Sequence, residues 1–249
     1  MYVERSYRSQ AGNPDLAFFK VVVKETDLYI GVDRDSYHPE LPEQVEQLVW
    51  RLRREMDDYI GRDPVFRTTL EPHLLLPGAP PLAQEMGRAA WKADVGPMAA
   101  VAGAFAEAVG RWLLTRAKEV LVENGGDIFL KIEKTRKIGI FAGQSPFSGR
   151  LALEIEPGQT PLGICTSSGT VGPSYSAGKA DAALVMAASA ALADAAASAV
   201  GNAVQGMEDV EKAVQVGQEI EGVVGVLVIK DNRLGAWGQV KLRPLNSLK

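Results

Sequence analysis

The segment MAAVAGAFAEAVGRWLLTRA, residues 98–117, carries no charge before Arg111 except Glu107. A helix that is apolar on every side is stable only when buried, so this stretch predicts a helix lying between layers rather than on a surface. A second such stretch, ALADAAASAV (191–200), has Asp194 as its single charge. The preceding AALVMA (182–187) reads as a strand, and Ser189 is a good N-cap for a helix over 190–205. An amphipathic helix starts at Pro42, with Val45, Leu48, Val49, Leu52, Met56 and Tyr59 three and four apart, and ends near Gly61. Another, about 208–221, places Val210, Ala213, Val214, Gly217 and Ile220 on one face and stops at Gly222.

The other apolar runs are short and rich in β-branched residues. AFFKVVV (17–23) and LYIGVD (28–33) flank the polar Lys24-Glu25-Thr26-Asp27 and predict a hairpin with a four-residue connection. Strands near 119–123, 128–133, 137–142 and 150–156 predict a meander, and 162–169 a strand that runs into a glycine turn. VVGVLVIK, Asp231-Asn232-Arg233 and LGAWGQVKL predict a terminal hairpin. The prolines of PHLLLPGAPP (72–81) make that segment an ordered loop. Hairpins mixed with long helices indicate α+β architecture rather than βαβ winding. At 249 residues, one large domain or two interlocked halves, about 1–95 plus 160–205 and 96–159 plus 206–249, are both open.

The charge balance narrows the function. With 27 Lys and Arg against 31 Asp and Glu, and no lysine-rich run, the chain lacks the footprint of a nucleic-acid or anionic-membrane binder. Its first ten residues are charged where a signal peptide is apolar, and no apolar run reaches membrane-spanning length, which predicts a cytoplasmic protein. The chain has one cysteine, Cys165, and two histidines, His38 and His73. A disulfide and a Cys/His zinc site are therefore unavailable within one chain, leaving oxygen ligands for any metal. Neither histidine has a recognisable partner in the sequence.

Glycine is in excess, at 25 residues, and four chemically suggestive clusters stand out, three of them glycine turns. Asp94-Val95-Gly96-Pro97 stands at the mouth of the buried helix, where free N–H groups favour an anion, although an N-cap followed by proline explains it more simply. Asn124-Gly125-Gly126-Asp127 is a hairpin turn whose second glycine leaves bare backbone that a ring or phosphate can approach. The run from Thr166, Ser167, Ser168 and Gly169 through Gly172, Ser176, Gly178 and Lys179 to Asp181 gathers hydroxyls, glycines and one lysine suited to phosphate or ribose oxygens. It fails the P-loop spacing. Asp194 and Ser198, four apart, share a helix face; the carboxylate either pairs internally or gives an oxygen to Mg²⁺. Cys165 after Leu162-Gly163-Ile164 reads as a small buried hydrophobe, with a nucleophile as the alternative.

The order of buried alanine helix, GGD, TSSG and alanine helix with Asp-x-x-x-Ser resembles ApbE, the thiamine-biosynthesis-lipoprotein family of flavin transferases, which move FMN from FAD to a protein threonine using Mg²⁺. VENGGDIFL (122–130) and TSSGTVGPSYSAGKADAALV (166–185) are closer still to the cytosolic ApbE-like branch of archaea and anaerobic bacteria. The resemblance implies an ApbE-like, T-fold-like arrangement of mixed or antiparallel sheets with long buried helices. It implies that Gly125, Gly126 and Asp127 form the flavin-dinucleotide loop, that Thr166, Ser167 and Gly169 form the threonine-serine-glycine turn, and that Asp194 and Ser198 hold Mg²⁺. True transferases have a lysine-glycine pair and a later aspartate on the first helix, where this chain has Ala102-Gly103 and Glu107; their histidine motif is replaced by Ser174 to Asp181.

Three functions follow from the resemblance. One is a protein that binds FAD, another nucleotide or a small phosphorylated ligand, with Mg²⁺, and acts as a transferase. The second is an accessory protein in the sulfur and homocysteine metabolism of anaerobes, with a protein partner and Cys165 as sulfur carrier. The third is a strict FAD-dependent protein FMN transferase, against which Ala102 and the missing histidine motif stand. The long apolar helices could equally supply a homodimer interface.

Overall fold

The computed structural model describes residues 14–170 and 177–245. Strands β1 (Leu16–Val23) and β2 (Thr26–Asp33) pair from Val23 against Thr26, so the turn is two residues long rather than four. Lys24 takes a φ of 53°, which closes the tighter turn and leaves Thr26 and Asp27 in the ladder. Helix α1 (Leu41–Arg62) has Pro42 in its first turn, and the short α2 (Pro64–Thr68) follows. The stretch over 69–80 is a loop, but Pro81 opens α3 (Pro81–Ala93), which the sequence reading leaves out. Proline at the first helical position loses no hydrogen bond, so the second of the two prolines starts the helix instead of breaking it.

A tight helical turn at Pro97–Ala100 leads into α4 (Val101–Leu113), the buried alanine helix. Strands β3 (Val120–Asn124) and β4 (Asp127–Lys131) form the hairpin across Gly125-Gly126. The expected meander ends there. Strands β5 (Arg136–Gly139) and β6 (Leu151–Ile155) leave the first sheet and build a second one. The Glu119 carboxylate turns the chain away: it accepts the backbone N–H groups of Glu133 and Lys134 and pairs with the buried Arg136, which also forks onto Asp15 at 2.7 and 2.9 Å.

Strands β7 (Leu162–Ser167) and β8 (Ala182–Ala187) are followed by α5 (Ala190–Asn202), α6 (Val210–Glu219), β9 (Val223–Lys230) and β10 (Arg233–Gly238). The last predicted strand is cut at Gly238, where φ reaches 76°, and its remainder joins the small sheet as β11 (Leu242–Pro244). The large sheet has the order β1-β2-β3-β4-β7-β8-β9-β10, antiparallel throughout; the small one has the order β11-β6-β5. Hairpin, helices, hairpin therefore occurs twice along the chain, and the two sets lie side by side in one sheet.

The helices cover one face of the large sheet and the small sheet covers part of the other, making two cores. Strand β8 shows why its sequence has no alternation. Ala183, Val185 and Ala187 face the helices, while Ala182, Leu184 and Met186 face the small sheet. Among the described residues no helix is long and apolar enough to cross a membrane.

Helix α5 sits unusually close to its neighbours. A Cβ at Gly103 of α4 would strike the Ala190 carbonyl, and one at Gly163 of β7 would strike the Ala190 Cα and N. Gly163→Ala should therefore cost about 1–3 kcal/mol or more, because backbone on both sides cannot yield. Gly61→Ala, where a Cβ meets nothing within 4 Å, should be neutral or stabilising by up to about 0.5 kcal/mol. Urea unfolding of the two variants checks the pair; equal stabilities would contradict the packing described.

Candidate functional site

The hairpin turns of the large sheet fall at one of its ends. Asn124 pairs with Leu28, Ile128 with Ile164 and Ser167 with Ala183, so the 125–126 turn lies beside Thr166 and Ser167 at the end of β7. Gly125 and Gly126 have φ of 75° and 108°, conformations in which a side chain is strained. The turn is pinned from below: Gly126 N–H donates to the buried Glu123 carboxylate at 2.8 Å, and the Asn124 side-chain amide donates to the Ala102 carbonyl at 3.1 Å. Asp127 is buried and its Oδ1 accepts the Thr166 N–H at 3.3 Å, tying the turn to β7.

Helix α5 runs along this rim. Asp194, Ser198 and Gly201 are spaced i, i+4 and i+7 and share a face. Asp194 Oδ2 accepts the Gly103 N–H at 2.9 Å, and Gly201 lies against the Ser167 side chain. The Asp194 carboxyl is pushed well above the ordinary aspartate range, first by loss of water and then by the charge of Asp127; the Gly103 and Ala102 N–H groups oppose the shift. The structure thus brings together Asn124, Gly125, Gly126, Asp127, Thr166, Ser167 and Asp194, with Ser198 one turn further along α5 on the Asp194 face.

Other predicted residues have structural duties instead. Gly96 is closed off because a Cβ there would strike the Thr69 carbonyl, so the helix mouth is filled by the protein's own chain. Gly169 is pressed against the backbone of Gly178, and Gly178 against that of Gly201. These glycines permit chain-to-chain contact, the same freedom the sequence reading assigned to a ligand. Ser168 Oγ reaches the Ala180 carbonyl at 3.4 Å and accepts the Thr170 N–H. The buried Asp181 accepts from Thr170 Oγ1 at 3.0 Å and from Asp231 N–H at 2.6 Å, holding the β9–β10 turn. Lys179 is exposed and its N–H is bonded to Val204 O. Gly172 and Ser176 lie outside the described residues.

Cys165 is fully buried and donates to the Ala190 carbonyl at 3.4 Å. Burial, with Asp127 and Asp194 beside it, pushes its thiol well above the ordinary value, so a nucleophile or exchangeable sulfur carrier finds neither thiolate nor access there. The histidines do have partners: His38 Nδ1 meets Glu40 at 3.2 Å, and His73 Nε2 meets both oxygens of the buried Asp63 at 2.9 and 3.0 Å. Among the described residues no group of three or more His, Cys, Asp or Glu could hold a metal ion.

Glu107, which the resemblance marks as a departure from the transferase pattern, has a structural role. Its Oε2 accepts from Ser189 Oγ (2.9 Å), Ala190 N (2.7 Å) and Ala191 N (3.4 Å), so it caps the N-terminus of α5 from another helix. Its isolation in an apolar helix was the available signal. Glu107→Ala should cost about 1–3 kcal/mol, read by urea unfolding, because it strips the α5 N–H groups of their acceptor. Asp194→Asn provides a pH test. A raised carboxyl penalises the folded state above the unfolded value of 3.8, so metal-free wild type should match Asp194→Asn near that pH and fall progressively below it as pH rises. A constant difference from acid to neutral pH would contradict the desolvation of Asp194.

Residues 8–234 match the family described as AbpE bacteria. The UPF0280 protein of Methanocella arvoryzae is 42% identical over 222 residues, covering 89% of this chain and 88% of its own. That of Methanocaldococcus jannaschii is 37% identical over 226 residues, covering 89% and 90%. Among solved structures, the apo flavinyl transferase ApbE of Pseudomonas stutzeri superposes with a TM-score of 0.61 at 12% identity over 90% of this chain and 94% of that one. The flavin transferase ApbE of Vibrio cholerae gives 0.60 at 14% identity over 90% and 96%. These structures share the α+β fold. The chain belongs to the AbpE bacteria family, has the UPF0280 proteins as relatives, and shares the fold of the ApbE structures.

Proposed function

We propose that the rim formed by Gly125, Gly126, Asp127, Thr166, Ser167, Asp194 and Ser198 binds the phosphates of a flavin nucleotide or a related nucleotide together with Mg²⁺, and that the protein acts on that ligand as a transferase. The observation that carries this reading is the meeting of two aspartates, Asp127 and Asp194, beside a turn of two positive-φ glycines. Supporting it, the ApbE proteins of the same fold are flavin transferases by name.

The donor set suits Mg²⁺, which takes one or two carboxylates and completes its shell with water and phosphate oxygens. Asp194 and Ser198 would hold it, and it would supply neutralisation of charge on a phosphoryl oxygen. The protein's own residues do the positioning. Gly103 N–H fixes the Asp194 carboxylate, Asp127 ties the turn to β7, and the Gly125-Gly126 backbone leaves room for a close approach. Charge neutralisation and orientation are the contributions these groups make. Delivery of sulfur through Cys165 is set aside because its thiol is enclosed.

Thermal unfolding with FAD, FMN, ATP and S-adenosyl compounds, with and without Mg²⁺, tests the reading. A ligand at a hundred times its Kd should add about 2.7 kcal/mol of stability to wild type. Asp194→Asn should lose the Mg²⁺-dependent share. No shift with any nucleotide, or an equal Mg²⁺ effect in both proteins, would refute it.

A further inference from the structure

The loop before α3 and the outward side of α3 enclose a groove of about 540 Å³, lined by His73, Leu74, Gln84, Arg88, Trp91 and Lys92 among others. It shares no residue with the rim at the sheet end. Its floor is built by the sequence: Leu75 seats on Gly87, where a Cβ would come within 3.0 Å of the leucine methyl, and this turns the neighbouring Leu74 outward. Leu74 is 77% exposed and Trp91 55% exposed, so a leucine and an indole stand in water beside one another. The indole is held in place, since Trp91 Nε1 donates to the His73 carbonyl at 3.3 Å.

The wall beside the indole is rigid and polar. His73 Nε2 is engaged by Asp63, whose carboxylate also accepts from Tyr59 OH at 3.0 Å; the tyrosine oxygen in turn accepts the Leu76 N–H at 3.1 Å. This chain of bonds fixes the ring of His73 at the groove and leaves Nδ1 as its open hydrogen-bonding atom. Among the described residues that line the groove, the charged side chains are cationic. Arg88 and Lys92 line it and no carboxylate does. Their present partners, Glu85 and Glu221, lie outside the lining and are 56% and 89% exposed at the side chain, so these surface pairs hold the cations weakly.

We propose that this groove is a second binding site, separate from the rim, for a small planar aromatic anion: a ring stacked on Trp91 beside Leu74, carrying a phosphate or carboxylate between Arg88 and Lys92. An aromatic face supplies ring affinity without sequence of contacts being critical, and the guanidinium and ammonium supply the anion site.

Calorimetric titration of the full chain with phenyl phosphate, benzoate, phenol and inorganic phosphate tests it. Saturable binding of phenyl phosphate or benzoate is expected, the stronger of the two telling which anion the site prefers, with phenol and phosphate each at least tenfold weaker. Arg88→Glu and Trp91→Ala should each weaken binding about tenfold while leaving the melting temperature near wild type, since both side chains are exposed. Glu221→Gln should strengthen it about twofold by releasing Lys92, and Asp194→Asn at the rim should leave it unchanged. The proposal is overturned if neither aromatic anion binds, if inorganic phosphate binds as well as phenyl phosphate, or if Asp194→Asn abolishes binding and Arg88→Glu does not.

Discussion

The first turn of α5 is gripped by backbone on two sides, and the rest of the structure is arranged around that contact. Ala190 lies against Gly103 of α4 and Gly163 of β7, and neither neighbour has a Cβ to hold it off. Glu107 closes the remaining side by accepting the first free N–H groups of α5. Alanine is the residue that suits such a helix, because it adds helical propensity with little bulk. With α4, β7 and α5 locked together, the two hairpin sets are joined into one eight-stranded sheet, and Asp194 is carried one turn along α5 to the Gly103 N–H.

That placement is costly. A partly shielded carboxyl that loses solvation and is faced by Asp127 is disfavoured as a carboxylate in the folded chain at neutral pH, and a fully apolar helix would pack at least as well. Departures from the locally favourable choice concentrate where a protein binds or reacts. The 125–126 turn beside Asp127 has the positive φ values that a two-residue hairpin requires, which its glycines adopt without strain. The proposed cation would offset the cost of the Asp194 carboxylate. Glu107 offers a contrast within the same helix pair: its carboxylate is fully engaged by Ser189 and the α5 backbone and by Arg111, so its work is structural.

Much of the fold was legible in the sequence. The hairpins and the α+β class follow from short β-branched runs between turn residues, and the buried helices from stretches that are apolar on every side. Helix α3 was hidden because Pro80-Pro81 reads as a breaker, although a proline that begins a helix breaks nothing. The departure of β5 and β6 to a second sheet was hidden because it depends on Glu119 and Arg136 meeting across the fold. For the site, the GGD turn and the Asp194 face were readable as residue types, and the structure puts them side by side. The glycines at 96, 169 and 178 looked the same in the sequence, but backbone of the protein itself occupies the space they leave. A glycine reveals that something approaches closely; only the fold tells whether it is ligand or chain. His73 lacked a partner in sequence because Asp63, at the start of α2, reaches it only once α2 folds the chain back.

The central claim, that the carboxylates at the sheet end hold a divalent cation against a nucleotide phosphate, is tested most directly by a crystal structure grown with FAD and Mn²⁺ in place of Mg²⁺. The account predicts anomalous density between Asp194 and Ser198, with phosphate oxygens of the ligand against the 125–126 backbone. Nucleotide bound elsewhere, or manganese absent from Asp194 while nucleotide occupies the rim, would contradict it.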